Sequence, residues 1–505
     1  MKVRWPSVLR SAGLAACAGL ALALALPGLN WWPLVFLFPA LFLESLRTPM
    51  RWWHAALLGL FAGMVHWVVA SHWVVDVLAG FGGFPILGAW GGLVVMGLFL
   101  GSTWIPVAIV MAAVSPRTRT LIFPAAWILA EVARRYSPYL FPWNTTASCL
   151  ADMPLLLSSL SVWGATGLGW ALIALGTGAW ALSYEMTRRS GVAVIGAAVV
   201  FTGVTTAIAP GAEFSGKAVR VALIQPGTTL EERWDPDMWP ETAEKVWALS
   251  RTASAQQPDL IVWPESAMPY RFDSDIRYQR QILEFARSAG SAVVLNSVGR
   301  TSDGGYTNSA FSLRPDGVVS RYDKVRLVPF GEYVPLWGRV FVSDSLVREI
   351  GAFTAGTEIK PLDAGIPLGL AVCYEIVFPN VVARQVRAGA EVLATLTNDA
   401  WYGTSWALDQ HFAQAILRAV ETRRWVIRAA LTGISGAIDP SGRVVDRLDA
   451  GKQGLLVVEV QPANGLTPAV RWGDWWALVC VVMVGVGLFL GRQGRSGSEI
   501  QSRPS

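Results

Sequence analysis

Apolar segments constrain the fold of this chain more than any other feature of its sequence. Hydrophobic residues make up 53% of its 505 residues and charged residues only 15%, whereas a soluble chain carries about 25% charged residues. Because about 20 consecutive apolar residues span a bilayer as a helix, the composition predicts an integral membrane protein. The predicted spans are residues 12–28, 31–45, 55–75, 88–114, 120–133, 157–183, 191–209 and 474–491.

Basic residues at the ends of these segments predict their orientation. They precede the first span and follow the second, fourth, sixth and eighth, at Lys2, Arg4, Arg10, Arg47, Arg51, Arg117, Arg119, Arg188, Arg189, Arg492, Arg495 and Arg503. Since positive residues are retained in the cytoplasm, eight spans place all of these on the cytoplasmic side. Segments 31–45 and 120–133 are short, but the alternation fails if either is lost, which favours keeping both.

Two arginines do not follow this pattern. Arg134 and Arg135 fall on the opposite side, just before the aromatic and proline-rich loop 136–144. Arginines near an interface either contact lipid phosphates or act as plain interfacial anchors, and the sequence leaves both interpretations open.

The first apolar segment is interpreted as a membrane span rather than as a cleavable signal peptide. The residues before Cys17 resemble a lipoprotein cleavage motif. However, Arg10 leaves only a few apolar residues before Cys17, whereas a signal peptide needs an apolar core of ~7–15 residues.

The polar block 214–466 interrupts the apolar segments and predicts a domain outside the cytoplasm. Residues 1–213 then form a transmembrane domain of seven helices, and residues 467–505 a final helix with a cytoplasmic tail. Strands alternate with helices in the block, which is typical of an α/β layered domain. The predicted strands are 219–225, 260–263, 292–296, 368–372, 391–397, 426–432 and 455–460, with a hairpin at 306–319 and helices at 239–257, 275–289, 378–389 and 407–423.

Three polar residues stand close to strands of this block. Glu265 and Cys373 each follow an apolar strand, and Lys324 lies just after the hairpin. Catalytic groups converge at strand ends in α/β sheets, and a carboxylate, a thiol and a cation together activate a nucleophile for acyl transfer. Cys373 also precedes a predicted helix, whose terminal N–H groups are expected to favour the thiolate. Each residue alone is a weak signal, because a lone buried cysteine is usually a core thiol.

The residues around Glu265, Lys324 and Cys373 resemble the motifs of a known family. Trp263-Pro264-Glu265, the run from Lys324 to Glu332, and Cys373-Tyr374-Glu375 resemble the nitrilase (carbon–nitrogen hydrolase) superfamily, whose triad is Glu, Lys and Cys. With the membrane segments and the run 327–335, the chain resembles the membrane-embedded branch of that superfamily, the apolipoprotein N-acyltransferases. The resemblance covers nearly the whole chain. It implies an α-β-β-α sandwich joined to an α-helical membrane domain of about eight helices.

The same resemblance implies a reaction and the residues that perform it. Cys373 would attack an acyl ester of a phospholipid, with Glu265 as the base and Lys324 stabilising the oxyanion. The thioester would then pass its acyl chain to the N-terminal α-amine of a diacylglyceryl-cysteine apolipoprotein, the last step of lipoprotein maturation. Supporting or substrate-binding roles are implied for Glu332, Glu375, Tyr374, Trp234 and Asn308. The implied protein is a monomer in the bacterial inner membrane, with the catalytic domain in the periplasm.

Two further stretches of the outer block are unusually apolar or aromatic. Residues 336–353 and 401–406 are expected either to contact lipid as arms or to pack against the membrane helices. His411 lies in a helical pattern and is interpreted as structural. The sequence shows no metal-ligand cluster and implies no cofactor, and its net charge of +5 is too small to suggest nucleic acid.

Two other functions remain as alternatives. A membrane-tethered amidase or nitrile hydrolase would need neither the apolar stretches nor the many spans. A membrane scaffold or transporter with an inactive hydrolase-like domain would not need the complete set of Glu265, Lys324 and Cys373. Transport paths also require polar groups within the spans, and few charged residues occur there.

Overall fold

The computed structural model describes residues 5–80, 82–137, 141–334 and 353–501, and the chain divides into two compact units. The helical unit contains Met1–Ala209, Ser405–Gln410 and Trp472–Ser505. The second unit contains Pro210–Thr404 and His411–Arg471. Most of the polar block therefore folds as one body, whereas residues 405–410 group with the helices.

The first part of the helical unit has a helix at each of its seven predicted spans. Its helices are α1 (Trp5–Ala25), α2 (Leu34–Ser45), α3 (Trp52–Ala70), α4 (Val74–Gly80), α5 (Ile86–Gly101), α6 (Ile105–Ala113), α7 (Pro116–Tyr136), α8 (Leu160–Leu182) and α9 (Arg188–Ile208). Helices α5 and α6 together cover one predicted span, and the short α4 was not predicted. Among the described residues, five helical stretches are long and apolar enough to cross a membrane: Ser7–Ala25, Trp52–Ala70, Ile86–Ala113, Leu160–Leu182 and Arg188–Ile208.

Helix α7 differs from these stretches because it buries charged side chains. Arg134 and Arg135 are 5% and 6% exposed. Arg134 lies 3.8 Å from the Glu131 carboxylate and donates a hydrogen bond to the Asn144 carbonyl oxygen at 3.2 Å. Arg135 forms an ion pair with Asp474. The prediction that these arginines contact lipid phosphates or anchor the interface is wrong, because both guanidinium groups are buried beside carboxylates.

The second unit is built on two six-stranded sheets. Its strands are β1 (Glu213–Phe214), β2 (Val219–Gln225), β3 (Leu260–Val262), β4 (Ala292–Arg300), β5 (Tyr306–Leu313), β6 (Val319–Asp323), β7 (Leu362–Asp363), β8 (Pro367–Val372), β9 (Val392–Thr397), β10 (Val426–Ala430), β11 (Ser435–Ile438), β12 (Val444–Leu448), β13 (Gly454–Val460) and β14 (Ala463–Asn464). The strand orders are β13-β2-β3-β4-β5-β6 and β12-β11-β10-β9-β8-β7. The strands β2, β3 and β4 run parallel, as do β8, β9 and β10.

The two sheets pack face to face, and helices cover them. Leu223 and Val262 of one sheet share a buried core with Leu370 and Leu396 of the other. The helices of this unit are α10 (Leu230–Trp234), α11 (Trp239–Ser254), α12 (Ile276–Ala289) and α13 (Pro379–Arg387), together with most of α14 (Ala407–Thr422) and α15 (Pro468–Trp472). Helices α11 and α12 pack on the outer face of β2 to β4, and α13 contacts β8. The predicted α-β-β-α sandwich is confirmed.

The final helix, α16 (Trp475–Gln501), belongs to the helical unit. The Trp475 ring stacks on Trp163 with the ring centroids 4.1 Å apart. Just before the helix, the Asp474 carboxylate accepts a hydrogen bond from the Tyr136 hydroxyl at 2.8 Å. These contacts hold the last helix against the end of α7 and the start of α8.

Candidate active site

The fold places three polar side chains at the ends of strands in the sandwich. Glu265 lies three residues after β3, while Lys324 and Cys373 follow β6 and β8 directly. All three are buried, with exposed fractions of 6%, 1% and 7%. The charges of Glu265 and Lys324 both act on the Cys373 thiol. The structure therefore brings together the three residues that the sequence singled out.

Two carboxylates surround the Lys324 ammonium group. Its Nζ lies 2.9 Å from Glu332 Oε1 and 3.7 Å from Glu265 Oε1. Burial alone lowers the pKa of Lys324, but the charges of Glu332 and Glu265 outweigh it and raise that pKa above the ordinary value. Lys324 is therefore a fixed cation at neutral pH rather than a proton carrier.

Asn308 connects the same two carboxylates. Its Nδ2 donates to Glu265 Oε1 at 2.8 Å and to Glu332 Oε1 at 2.7 Å. The other oxygen of Glu265 accepts a hydrogen bond from the Asn398 backbone N–H at 3.0 Å. Since carboxylate oxygens accept hydrogen bonds, these donors fix the orientation of Glu265.

Asn296 is part of this network although the sequence did not single it out. Its Nδ2 donates to Asn308 Oδ1 at 2.6 Å, and its Oδ1 accepts from the Ser266 N–H at 3.0 Å. It thereby fixes the amide orientation of Asn308. One signal could have found it, because Asn296 follows the apolar run at the start of β4, as Glu265 follows that of β3.

Cys373 occupies an unusual backbone conformation. Its φ is +52°, in the left-handed region that side chains other than glycine rarely adopt. Burial and the charge of Glu265 raise the pKa of its thiol above the ordinary value, although Lys324 opposes the shift. The expectation that helix-terminal N–H groups favour the thiolate is therefore wrong. The thiol is neutral at pH 7 and needs a base before it can react.

Glu375 lies two residues after Cys373, and its carboxylate binds the backbone of two chain segments at the site. Its Oε1 accepts from the backbone N–H groups of Val325 and Arg326, and its Oε2 from that of Val372. The Tyr322 hydroxyl donates to both oxygens, at 3.0 and 3.1 Å. Glu375 is fully buried, and burial raises its pKa to about 7 against these hydrogen bonds. The side chain thus joins the end of β8 to the segment that carries Lys324.

Tyr374 and Trp234 occupy different environments. Tyr374 is buried and packs edge-on against the Phe378 ring at 5.0 Å. Trp234 is 69% exposed, and its ring lies 6.2 Å from that of Trp401. The structure therefore places the exposed Trp234 beside the partly buried Trp401 rather than among the buried charged groups.

The two stretches predicted to be arms are described only in part. Residues 335–352, nearly all of the first stretch, lie outside the described residues. The second stretch divides, since residues 401–404 belong to the sandwich unit, while 405 and 406 belong to the helical unit. There the Trp406 ring packs edge-on against His72 at 4.6 Å. This contact favours packing over lipid contact for Trp406.

The arrangement supports nucleophilic chemistry at a carbonyl carbon. A buried thiol lies beside an oriented carboxylate that can take its proton, and a permanent cation can stabilise an oxyanion. Within the described ranges, no cluster of three or more His, Cys, Asp or Glu side chains could hold a metal ion.

Comparisons with known proteins identify the family. The family profile described as "Carbon-nitrogen hydrolase" matches residues 220–465, and "Apolipoprotein N-acyltransferase N-terminal domain" matches residues 18–178. An apolipoprotein N-acyltransferase from Geobacter metallireducens is 32% identical over 484 residues, which cover 93% of this chain and 92% of the relative. One from Methylococcus capsulatus is 33% identical over 464 residues, covering 89% and 90%.

Solved structures of nitrilase-type proteins are more distant. The Caenorhabditis elegans NitFhit protein has a TM-score of 0.39 and 20% identity, covering 50% of this chain and 61% of its own. An amidase from Nesterenkonia sp. has a TM-score of 0.36 and 22% identity, covering 50% and 94%. The assignment therefore rests on the sequence relatives, whose matches cover about nine-tenths of both chains. The chain therefore belongs to the apolipoprotein N-acyltransferase family of membrane enzymes.

Proposed function

We propose that this enzyme moves a fatty acyl chain from a phospholipid to a lipoprotein through a thioester on Cys373. The acceptor is the N-terminal α-amine of a diacylglyceryl-cysteine apolipoprotein. The single observation that carries the proposal is the placement of a buried thiol beside an oriented carboxylate and a permanent cation.

The first half-reaction forms the thioester. Glu265 takes the proton of the Cys373 thiol, and the sulfur attacks the carbonyl carbon of the phospholipid ester. The Lys324 ammonium stabilises the resulting oxyanion. The bond from that carbon to the glycerol oxygen then breaks, and Glu265 returns its proton to this oxygen. The products are the acyl-enzyme and a lysophospholipid.

The second half-reaction releases the acyl chain to the acceptor. The α-amine attacks the thioester carbon, and Glu265 takes a proton from the nitrogen as the amide bond forms. The carbon–sulfur bond breaks, and the proton passes from Glu265 to the sulfur of Cys373. The thiol is restored, so one base serves both halves of a ping-pong cycle.

The supporting residues follow from their contacts. Glu332 and Asn308 keep Lys324 charged and Glu265 oriented, and Glu375 holds the turn after Cys373. We assign the exposed Trp234, beside Trp401, to contact with the acyl chain. Tyr374, the residue after Cys373, is buried and packs against Phe378. Since one chain carries the complete set, a monomer suffices for the reaction.

We also propose that the sandwich unit lies on the periplasmic side of the bacterial inner membrane. The proposal rests on the basic residues at the ends of alternate predicted spans, which place the polar block opposite the cytoplasm. Both substrates are membrane lipids or lipid-anchored proteins, and a site supplied from the bilayer limits the access of water to the thioester.

The experiment that tests the function is acylation of the purified enzyme by a phospholipid with an isotope-labelled acyl chain. Peptide mass spectrometry is expected to find the label on Cys373 and to lose it when a diacylglyceryl-cysteine peptide is added. Cys373→Ala should carry no adduct. Glu265→Gln should form the thioester at least about 100-fold more slowly, because general base catalysis contributes about 10²–10⁴-fold.

A matched control is Cys17→Ala, which removes an exposed cysteine and should leave the adduct on Cys373 unchanged. An unlabelled wild-type Cys373 would contradict the thioester mechanism. Release of the label as free fatty acid, without transfer to the peptide, would instead indicate a hydrolase.

A further inference from the structure

The left-handed conformation of Cys373 requires contacts that hold it. Strand β8 ends at Val372, and the chain turns sharply at Cys373 with φ +52°. A residue with a side chain keeps this conformation only where its surroundings impose it. The contacts of the Cys373 backbone are therefore as relevant to the nucleophile as those of its thiol.

His411 makes such a contact. It lies on α14 with no exposed surface, and its Nε2 is 3.1 Å from the Cys373 carbonyl oxygen. A carbonyl oxygen only accepts hydrogen bonds, so Nε2 carries a hydrogen and its N–H group donates the hydrogen bond to the Cys373 carbonyl oxygen. Because the same nitrogen is engaged with the backbone, it does not accept the proton of the thiol. His411 thus binds the nucleophile's backbone rather than its sulfur.

An ion pair orients the other side of the imidazole. Asp399 Oδ1 lies 2.9 Å from His411 Nδ1, and Arg428 Nη2 lies 2.5 Å from Asp399 Oδ2. Thr397 donates its hydroxyl to Asp399 Oδ1 at 2.8 Å. Asp399 and Arg428 have no exposed surface. Arg428 lies on β10 and Asp399 just beyond β9, so the parallel strands of the sheet carry the pair.

The hydrogen bond from His411 Nε2 to the Cys373 carbonyl oxygen does not depend on the charge of the imidazole. Nδ1 faces the acceptor Asp399 and also the donor Arg428, whose Nη2 is 3.1 Å away. A neutral ring accepts from Arg428, and a protonated ring donates to Asp399. Nε2 keeps its proton in both states. The Tyr402 ring, edge-on at 6.2 Å, is a further titratable neighbour, and it is neutral because burial raises its pKa.

Gly433 provides the space for Asp399. A Cβ atom at this position would lie 2.3 Å from Asp399 Oδ2 and 2.6 Å from its Cβ, closer than real contacts allow. The φ of Gly433 is not in the left-handed region, so the backbone does not itself require glycine. The close approach of Asp399 does.

We propose that His411 is the positioning residue of the nucleophile. The Arg428–Asp399 ion pair orients its ring, and the ring holds the Cys373 carbonyl so that the thiol points towards Glu265 and Lys324. This inference rests on the proposed role of Cys373. It assigns a task to three buried residues that take no part in the proton transfers described above.

Two substitutions of His411 separate positioning from proton transfer. His411→Leu removes the donor, while His411→Gln keeps an N–H group at a similar reach. His411→Leu is expected to slow single-turnover acylation of Cys373 on the order of 100-fold, the cost of about 1 Å of misplacement. The phospholipid concentration for half-maximal rate should change less than about threefold, since substrate binding is untouched. His411→Gln should stay within about tenfold of the wild type, with the same dependence of rate on pH.

A substitution of Gly433 tests the same positioning role without changing His411. Gly433→Ala should displace Asp399 and slow acylation in the same way as His411→Leu. Gly211→Ala is the matched control, because a Cβ there meets nothing within 4 Å. Thermal melting of each purified variant checks the fold. Should His411→Leu not fold, His411→Gln and Gly433→Ala still decide the question.

Alkylation of Cys373 by iodoacetamide gives a readout that needs no acyl transfer. The rates should follow the same order, with His411→Leu and Gly433→Ala slower than His411→Gln and the wild type. The proposal is overturned if His411→Gln is as slow as His411→Leu and changes the pH profile, which would indicate proton transfer. It is equally overturned if all variants react at the wild-type rate. Lack of a wild-type acyl adduct would contradict only the proposed function.

Discussion

Glu375 shows how a single side chain can link two strands of the catalytic sandwich. Its carboxylate accepts hydrogen bonds from three backbone N–H groups and from the Tyr322 hydroxyl, which joins the end of β8 to the segment after β6. Cys373 ends the first of these segments and Lys324 begins the second. The separation of Cys373 and Lys324 is therefore maintained in part by the Glu375 carboxylate.

The raised pKa of Glu375 predicts a pH dependence of stability. In the folded chain the pKa is about 7, against an ordinary value of 4.5. A raised carboxyl pKa stabilises the folded state below pH 4.5, and this contribution is lost as the pH rises through 7. Since one pKa unit corresponds to about 1.36 kcal/mol, the free energy of unfolding is expected to fall by about 3 kcal/mol. We expect the melting temperature of the wild type to fall by several degrees over this range relative to Glu375→Gln, measured by calorimetry in detergent.

Glu375→Gln itself is expected to be less stable at every pH, because its amide N–H₂ meets backbone donors, at a cost of about 1–3 kcal/mol. The control is Glu459→Gln on the exposed side of β13, which should reproduce the wild-type curve. Parallel pH curves for wild type and Glu375→Gln would refute an elevated pKa for Glu375.

At the scale of elements, the close contact between α7 and α16 depends on a glycine. A Cβ atom at Gly487 would lie 2.2 Å from Ile122 Cγ2 on α7. That methyl is attached to a β-branched carbon with restricted χ1, so it has little freedom to move away. Small residues allow membrane helices to approach closely, and Gly487 plays that part here.

Gly487→Leu is therefore expected to destabilise the helical unit by about 1–3 kcal/mol, the usual cost of overpacking. Gly485→Leu is the matched control on the same helix, since a Cβ at Gly485 meets nothing within 4 Å. Both substitutions bring the same gain in helix propensity, so the difference in stability between the two variants reports the packing of α16 against α7. Melting temperatures in detergent measure this difference, and equal melting temperatures for the two variants would refute the close contact.

The elements that the sequence predicted are those with continuous apolar runs. Strands β3, β8 and β9 lie between a second sheet and a layer of helices, so nearly every position is apolar. Strands β11 and β12 were missed because their signal is weak: β11 has four residues, and most of β12 is exposed. They form by pairing with β10 and with each other, which depends on tertiary structure rather than on local pattern.

The site was predictable to the same extent. The sequence singled out Glu265 and Cys373 because each is a polar residue that follows an apolar run within a family motif. Asp399 and Arg428 were missed, and His411 was interpreted only as structural, because the fold alone brings the three together. No local pattern distinguishes a buried ion pair from surface charges. Burial of the thiol and the charge of Glu265 also reversed the expected direction of its pKa shift.

At the scale of the whole molecule, the orientation of the chain decides which compartment the catalytic unit faces. The segment between α8 and α9 is followed by Arg188 and Arg189, which predict a cytoplasmic position. The sandwich unit lies one predicted span further along the chain and is therefore expected on the other side. Exposed serines are present in both places, namely Ser183 after α8 and Ser302 between β4 and β5.

Ser183→Cys and Ser302→Cys, each combined with Cys17→Ala, test this orientation in a bacterial host. Intact cells with a permeabilised outer membrane are treated with a charged maleimide that does not cross the inner membrane. Ser302→Cys is expected to react in intact cells, and Ser183→Cys only after lysis. Cys149, Cys373 and Cys480 are buried, so the background without an added cysteine should label weakly. The opposite pattern would place the sandwich unit in the cytoplasm, because inverting one predicted span inverts every segment beyond it.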